Sequence, residues 1–170
     1  MSLPPTHLME LPRKILIGDG VISQLGSFIM DLDDNASKVA IITGNNVKAR
    51  ACKSCKSSFF ESSLQDSWYI VNDESMDSVN KLQIKIRDSI PDFIIGLGGG
   101  RSVDVAKMTA FKLNKPLVSV PTSASHDGIS SPFVSIRGND KPHSVKVNTP
   151  IGVLADTRLL SEAPMRLLAS

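Results

Sequence analysis

The sequence has 170 residues, of which 41% are hydrophobic and 21% are charged, and its formal net charge is +2. This length suits one compact domain, in which roughly 70% of the surface of the unfolded chain is buried. No apolar run approaches the ~18 residues of a membrane span, and the few, scattered positive charges argue against nucleic-acid binding.

The first residues are left out of the fold prediction. Residues 1–9 have the composition of a leader or of an expression-vector remnant, and they lack the pattern of a secretion signal. We therefore expect a cytoplasmic protein without membrane insertion.

Apolar, β-branched runs alternate with segments of helical period along the rest of the chain. The extended segment "RKILIGDG" comes first and ends in a glycine turn. Five further strands are predicted at 38–43, 67–71, 92–97, 116–120 and 151–155, and helices at 20–31, 46–64, 75–89, 101–113 and 158–168. This alternation predicts an α/β fold with a Rossmann-like, open, mostly parallel sheet and helices on both faces.

A short hairpin interrupts this alternation. The segments "FVSI" and "SVKV" are joined by "RGNDKPH", whose Gly, Asn and Asp residues suit a loop. Cys52 and Cys55 form a single C-x-x-C on a predicted helix, which favours two thiols on a helix face over a zinc site.

The stretch "GLGGGRSVDVAK" from Gly96 to Lys107 carries the strongest chemical signal. The strand ends near Leu97 and a helix begins by Ser102, so Gly98, Gly99 and Gly100 precede the helix. Unpaired amides and the helix dipole favour an anion at such a place, and glycine lets a phosphate approach the backbone. A tight structural turn is the alternative, and neither G-x-G-x-x-G nor G-K-[ST] is matched.

Two charged residues follow these glycines, and each has two interpretations. Arg101 can pair with a phosphate or with a carboxylate. Asp104, placed in the first turn of the predicted helix, can contact a ligand or complement the helix dipole.

A second polar segment, "PTSASHDGISSP" at residues 121–132, follows the next strand. It combines five hydroxyl residues with His126 and Asp127. Ligands of open α/β sheets lie outside the carboxyl ends of the strands, so this segment and the glycine loop are predicted to meet at one crevice. An ordinary Ser-rich turn with an Asp-Gly pair remains the alternative.

Three segments together, "GGGRSVDVAK", "VPTSASHDGISSP" and "DTRLLSEAPMRLLAS", resemble the sn-glycerol-1-phosphate dehydrogenases. These are relatives of glycerol dehydrogenase, iron-containing alcohol dehydrogenases and 3-dehydroquinate synthase. The resemblance spans roughly residues 10–170. It implies a dinucleotide-binding domain at 10–157 and the start of a helical metal-binding domain at 158–170, the remainder of which is absent from this sequence.

The resemblance also implies roles for individual residues. The expected activity is reduction of dihydroxyacetone phosphate to sn-glycerol 1-phosphate, used in archaeal ether-lipid synthesis, with NAD(P)H as cofactor. Asp127 is expected to contact this small-molecule substrate, and His126 is a further substrate-binding candidate. With the glycine loop included, the expected cofactor contacts are Gly98, Gly99, Gly100, Arg101, Ser102, Val103, Asp104, Thr122, Ser123, Ala124, Ser125 and Ser131.

Gly44 completes the expected cofactor site and bears on cofactor choice. It begins the sequence Gly44-Asn45-Asn46 after a predicted strand, where enzymes selective for NAD usually carry an acidic residue that repels a 2′-phosphate. We therefore expect NADPH to be accepted at least as well as NADH.

The resemblance implies a catalytic zinc ion, whose ligands this sequence does not display. The histidines are His7, His126 and His143, with no metal-binding spacing. By resemblance the ligands lie beyond Ser170, so neither a catalytic residue nor a metal ligand is assigned here. The chain alone is expected to bind dinucleotide weakly without turnover, and relatives suggest a homo-oligomer. A dehydroquinate synthase-like cyclase and a non-catalytic nucleotide-binding module remain alternatives.

Overall fold

The computed structural model describes residues 10–124, 129–137 and 142–163. The leader at 1–9, the site candidates Ser125, His126 and Asp127, the hairpin loop at 138–141 and the segment from residue 164 onward lie outside the described residues.

Six parallel strands form one open sheet, as the alternation of elements predicts. Along the sheet the strand order is β1, β8, β5, β4, β2, β3. These strands are β1 (Lys14–Gly18), β2 (Lys38–Thr43), β3 (Gln65–Ile70), β4 (Phe93–Gly98), β5 (Leu117–Pro121) and β8 (Gly152–Asp156). The predicted hairpin is confirmed as the antiparallel pair β6 (Phe133–Arg137) and β7 (Pro142–Lys146).

Helices cover both faces of the sheet. They are a 3-10 helix (Val21–Gln24), α1 (Leu25–Met30), α2 (Asn45–Glu61), α3 (Met76–Arg87), α4 (Gly100–Leu113) and α5 (Thr157–Ser161). The first apolar core lies between the sheet and the 3-10 helix, α1 and α2, and the second lies between the sheet and α3, α4 and the hairpin. In the described part of the chain no helix has the length and apolar character of a membrane span.

Several helix bounds differ from the sequence prediction. The helix predicted at 20–31 is a 3-10 helix followed by α1, α2 ends at Glu61 instead of residue 64, and two further differences affect the interpretation. Helix α4 begins at Gly100, which makes Asp104 its fifth residue and corrects the placement of this carboxylate in the first turn. Helix α5 ends at Ser161, inside the helix predicted at 158–168, and residues from 164 onward lie outside the described part of the chain. Pro164 follows in the sequence, and proline both lacks an amide donor and disfavours helical conformation in the residue before it.

Helix α4 is buried on all sides over nine consecutive residues, Ser102 to Ala110. One side packs on β4 and β5, and the hairpin strand β6 covers another. An amphipathic helix would expose a polar face here, whereas α4 carries Asp104, Lys107 and Thr109 into the interior. The hairpin is therefore an outer layer over α4.

A buried carboxylate ties the end of β8 to the turn after β1. Asp156 is 1% exposed and accepts hydrogen bonds from the amides of Gly20 and Ile22, at 3.2 and 2.9 Å. It also caps α5 by accepting from the amides of Arg158 and Leu159. This contact fixes the edge of the sheet far from the glycine loop.

Candidate functional site

The chain order of the strands reverses next to β2, and this reversal marks the candidate site. From β2 the chain continues to β3 on one side and then returns to β4 on the other side. Gly44 follows β2 directly, and Gly98 is the last residue of β4. In open α/β sheets, ligands bind in the crevice at the carboxyl ends of two strands related in this way.

Two of the glycines near β4 are required by the fold itself. A Cβ on Gly98 would lie 2.7 Å from Ser102 Oγ, and the φ angle of Gly98 is +150°. A Cβ on Gly96 would lie 2.9 Å from Ala106 Cβ and 3.2 Å from Val103 Cα. These glycines let α4 pack closely on β4, so packing explains them without a ligand.

Gly99 and Gly44 are not required in this way. Their φ angles are −76° and −92°, which any residue adopts. The nearest described atom to a Cβ on Gly99 would be Ser123 Cβ at 4.0 Å, and around Gly44 no described atom lies within 4 Å of that position. Among the described residues, nothing therefore fills the position of a side chain at either glycine.

The first turn of α4 adjoins this open space. The first helical hydrogen bond runs from the amide of Val103 to the carbonyl of Gly99, at 3.2 Å. The amides of Gly100, Arg101 and Ser102 precede it, where a helix offers donors without intrahelical acceptors. With the helix dipole, this arrangement fits the diphosphate of a dinucleotide.

The second polar segment lies against the glycine loop, as the sequence predicts. The amide of Thr122 donates to the carbonyl of Gly98 at 2.9 Å, and Ser123 is the neighbour of Gly99. Thr122 and Ser123 are buried, while Ala124 is exposed. The ends of β4 and β5 therefore bring together two of the predicted groups of site residues.

Arg101 pairs with a carboxylate, one of its two interpretations. Its Nε donates to Glu74 Oε2 at 3.0 Å, and Arg137 Nε lies 2.8 Å from Glu74 Oε1. Glu74 follows β3, and sequence reasoning did not identify it. Its position at the carboxyl end of a strand was the available signal, because the parallel sheet brings all such ends to one edge.

Asp104 contacts the hairpin layer, and Ser131 belongs to the segment that leads into it. Asp104 is 3% exposed, and its Oδ2 accepts from the amide of Ser135 at 3.1 Å. The carbonyl of Ser131 accepts from Lys107 Nζ at 2.8 Å. Sequence reasoning overlooked Lys107, although a lysine among the inward-facing positions of a helix is itself unusual.

Comparison with known proteins gives a consistent assignment. A family model described as iron-containing alcohol dehydrogenase matches residues 16–164. The chain belongs to this family. Glycerol-1-phosphate dehydrogenase [NAD(P)+] of Nitrosopumilus maritimus is 42% identical over 165 residues, or 97% of this chain and 46% of the relative. The protein of the same name from Cenarchaeum symbiosum is 45% identical over 166 residues, 98% of this chain and 46% of the relative.

Solved structures share the fold at lower identity. An iron-containing alcohol dehydrogenase from Thermotoga maritima matches with a TM-score of 0.84 at 20% identity, covering 96% of this chain and 51% of the other. Glycerol dehydrogenase from Schizosaccharomyces pombe matches with a TM-score of 0.82 at 22% identity, covering 97% of this chain and 42% of the other. The chain thus spans about half the length of these family members.

The family name implies a metal, which the described residues do not fit. Among residues 10–124, 129–137 and 142–163, no three His, Cys, Asp or Glu side chains are placed to hold an ion. Cys52 and Cys55 are free thiols on α2, and burial raises the pKa of Cys55 to about 12. Cys55 belongs to the apolar core, and Cys52 lies half-exposed on the same helix, so both are thiols on a helix face as the sequence predicts.

Burial also lowers the pKa of Lys107. Removal of its ammonium group from water lowers the pKa of Lys107 from 10.5 to about 8, and the nearby Asp104 carboxylate acts in the opposite direction. The desolvation is the larger effect.

Substitution by alanine separates the two kinds of glycine. We expect Gly98→Ala to lower the free energy of unfolding by about 2 kcal/mol or more, because a Cβ there meets Ser102 at a strained φ. Gly99→Ala should leave it within about 0.5 kcal/mol of the original. Urea unfolding followed by the fluorescence of Trp68, the single tryptophan, measures both. Equal destabilisation by the two variants would contradict this account.

The buried ammonium predicts a pH dependence of stability. Between pH 8 and about 10.5 the unfolded chain keeps the Lys107 proton that the folded chain loses, so the free energy of unfolding should rise with pH. Below pH 8 both states hold the proton. The raised pKa of Cys55 has the opposite effect on stability, but it acts equally in the original chain and in Lys107→Met. The difference between their free energies of unfolding therefore isolates the effect of Lys107. If this difference in free energy of unfolding is constant from pH 8 to about 10.5, the prediction is refuted.

Proposed function

We propose that this chain is the dinucleotide-binding part of an NAD(P)-dependent glycerol-1-phosphate dehydrogenase. Two relatives of that name, at 42% and 45% identity, support the proposal. They are about twice as long as this chain, so the activity belongs to the proposed whole enzyme: reduction of dihydroxyacetone phosphate to sn-glycerol 1-phosphate, in the synthesis of ether lipids. On its own, the chain is proposed to bind dinucleotide weakly and to lack turnover.

The open space at Gly99, beside the first turn of α4, is the observation that carries this proposal. The described residues give Gly99 no conformational or packing reason to be glycine, and it borders amides that suit a diphosphate. Gly44 borders open space at the end of the neighbouring strand β2. This distribution suits a long ligand whose diphosphate lies at α4 and whose adenosine end lies toward β2.

The proposed contacts combine the described positions with the resemblance in sequence, which alone supports those of Ser125, His126 and Asp127. Gly99 to Val103 hold the diphosphate and neighbouring ribose, with Gly98 setting the path of the loop. Thr122, Ser123 and Ala124 form the adjoining wall, Gly44 borders the adenosine end, and Ser131 contributes from the hairpin side. Ser125 is proposed for the cofactor, and His126 and Asp127 for the substrate.

The chemistry of the proposed reaction divides between the cofactor and the chain. The nicotinamide supplies the hydride when it is bound. The residues of this chain hold the diphosphate and fix the orientation of the dinucleotide, which limits the directions from which a carbonyl carbon can be approached. A zinc ion and its ligands are proposed to lie outside the described residues, and homo-oligomerisation and a cytoplasmic location complete the proposal.

The domain division is proposed on the same basis. Residues 10–157 include the whole described sheet and are proposed as the dinucleotide-binding domain. Residues 158–170 are proposed to begin a helical, metal-binding domain.

Titration with NADPH tests the proposed function. We expect the nucleotide's fluorescence to change on binding to the chain, and Gly99→Ala to raise the Kd about tenfold, because its methyl group occupies the space of the diphosphate. Lys112→Met, at the far end of α4, serves as the control and should bind as the original does. Absence of NADPH and NADH binding to the original chain would contradict the proposal, as would full affinity in Gly99→Ala.

Cofactor choice is tested at Gly44. Its Cβ position is open, so Gly44→Asp and Gly44→Ser both fit. We expect Gly44→Asp to weaken NADPH binding about tenfold relative to NADH, because a carboxylate repels the 2′-phosphate. The uncharged Gly44→Ser should preserve the original preference, in which NADPH binds at least as tightly as NADH. Exclusive binding of NADH by the original chain would overturn this interpretation.

A further inference from the structure

Two charged side chains, Asp104 and Lys107, are buried on α4 beneath the hairpin. They are 3% and 1% exposed. Burial of charge is unfavourable unless the charge is paired and hydrogen-bonded, and an apolar surface could pack against the hairpin without that cost. The hydrogen bonds of these two side chains show which part of the chain the buried charges fix in place.

Both side chains bond the backbone that leads into and through β6. Lys107 Nζ donates to the carbonyl of Ser131 at 2.8 Å and to the carbonyl of Phe133 at 3.1 Å. Asp104 Oδ2 accepts from the amide of Ser135 at 3.1 Å. The two residues are three apart on the helix and therefore share a face. Their bonds reach alternate residues, 131, 133 and 135, and thereby fix the path of this extended segment over α4.

Ser131 stands at the start of this segment. It is half-buried, and its Oγ accepts from the amide of Phe133 at 3.4 Å, which leaves the hydroxyl proton for an acceptor elsewhere. At the other end of the same connection, the amide of Thr122 donates to the carbonyl of Gly98. Thr122 and Ser131 are thus both bonded to the β4–α4 unit that carries the glycine loop.

We propose that Lys107, supported by Asp104, is a positioning residue that fixes Ser131 relative to the glycine loop and thereby sets the affinity for the dinucleotide. This inference rests on the proposed function, since it takes Ser131 as a cofactor contact. Lys107 acts through the backbone and does not itself touch the cofactor. The role of Asp104 is likewise to hold the hairpin.

The test compares three variants by two measurements. Lys107→Met removes the ammonium and keeps a side chain of similar length, whereas Lys107→Arg retains donors for the two carbonyls. Lys112→Met is the matched control, because Lys112 lies on the same helix and bonds Asn80 at 2.6 Å, away from the hairpin. Hydrogen–deuterium exchange reports on the peptide 129–137 without any cofactor, and NADPH titration reports the Kd under conditions in which each variant is folded.

We expect Lys107→Met to accelerate exchange in the peptide 129–137 about tenfold, with β5 unchanged. Its Kd for NADPH should rise about tenfold, roughly the effect of one well-placed hydrogen bond. Lys107→Arg should recover most of both effects, and Lys112→Met should show neither.

Three results would overturn the inference, and they are distinguishable. If hydrogen exchange in the peptide 129–137 is unchanged in Lys107→Met, Lys107 does not fix the position of this segment. Faster exchange with an unchanged Kd refutes the effect on the cofactor and leaves Lys107 a purely structural role. If the original chain binds no dinucleotide, the proposed function and the cofactor part of the inference fail together, while the exchange data still decide whether Lys107 holds the hairpin.

Discussion

The close approach of α4 to β4 determines where the candidate site lies. Gly96 and Gly98 make this approach possible, because a Cβ on either would meet the helix at 2.9 Å or less. The helix consequently begins immediately at the edge of the sheet, two residues after β4 ends. Its first amides are thereby held next to the end of β2, where the strand order reverses. The position of this proposed anion-binding end is set by the packing of α4 on the sheet.

The same packing divides the glycines of the loop into two groups. Gly96 and Gly98 are needed by the fold, whereas Gly99 has an ordinary backbone conformation and open space beside it. The proposed contact with a phosphate and the stability of the fold therefore depend on different glycines within the four residues from Gly96 to Gly99. Sequence reasoning offers phosphate binding or a tight turn for the run as a whole and cannot divide it, since neither the φ angles nor the distance to Ser102 can be read from the sequence.

The sequence predicts the parallel sheet, the hairpin and the meeting of the two polar segments, because each follows from local patterns and from the geometry of parallel strands. It does not predict the partner of Arg101, since Glu74 lies on a different strand end and the contact depends on strand order. The burial of Lys107 is missed for a similar reason. Only the position of the hairpin over α4 converts a lysine that would otherwise reach solvent into an interior one.

The two-stranded hairpin needs contacts with the rest of the fold to fix its position, because two antiparallel strands alone are marginally stable. Apolar contacts from Val134 and Ile136 attach it to α4 but are compatible with small sliding movements. Hydrogen bonds to a buried ammonium and a buried carboxylate are directional and expensive to break, so they select one register against the helix. The cost of burying Asp104 and Lys107 is thus tied to the precise placement of the segment that begins at Ser131, the residue proposed to contact the cofactor from the hairpin side.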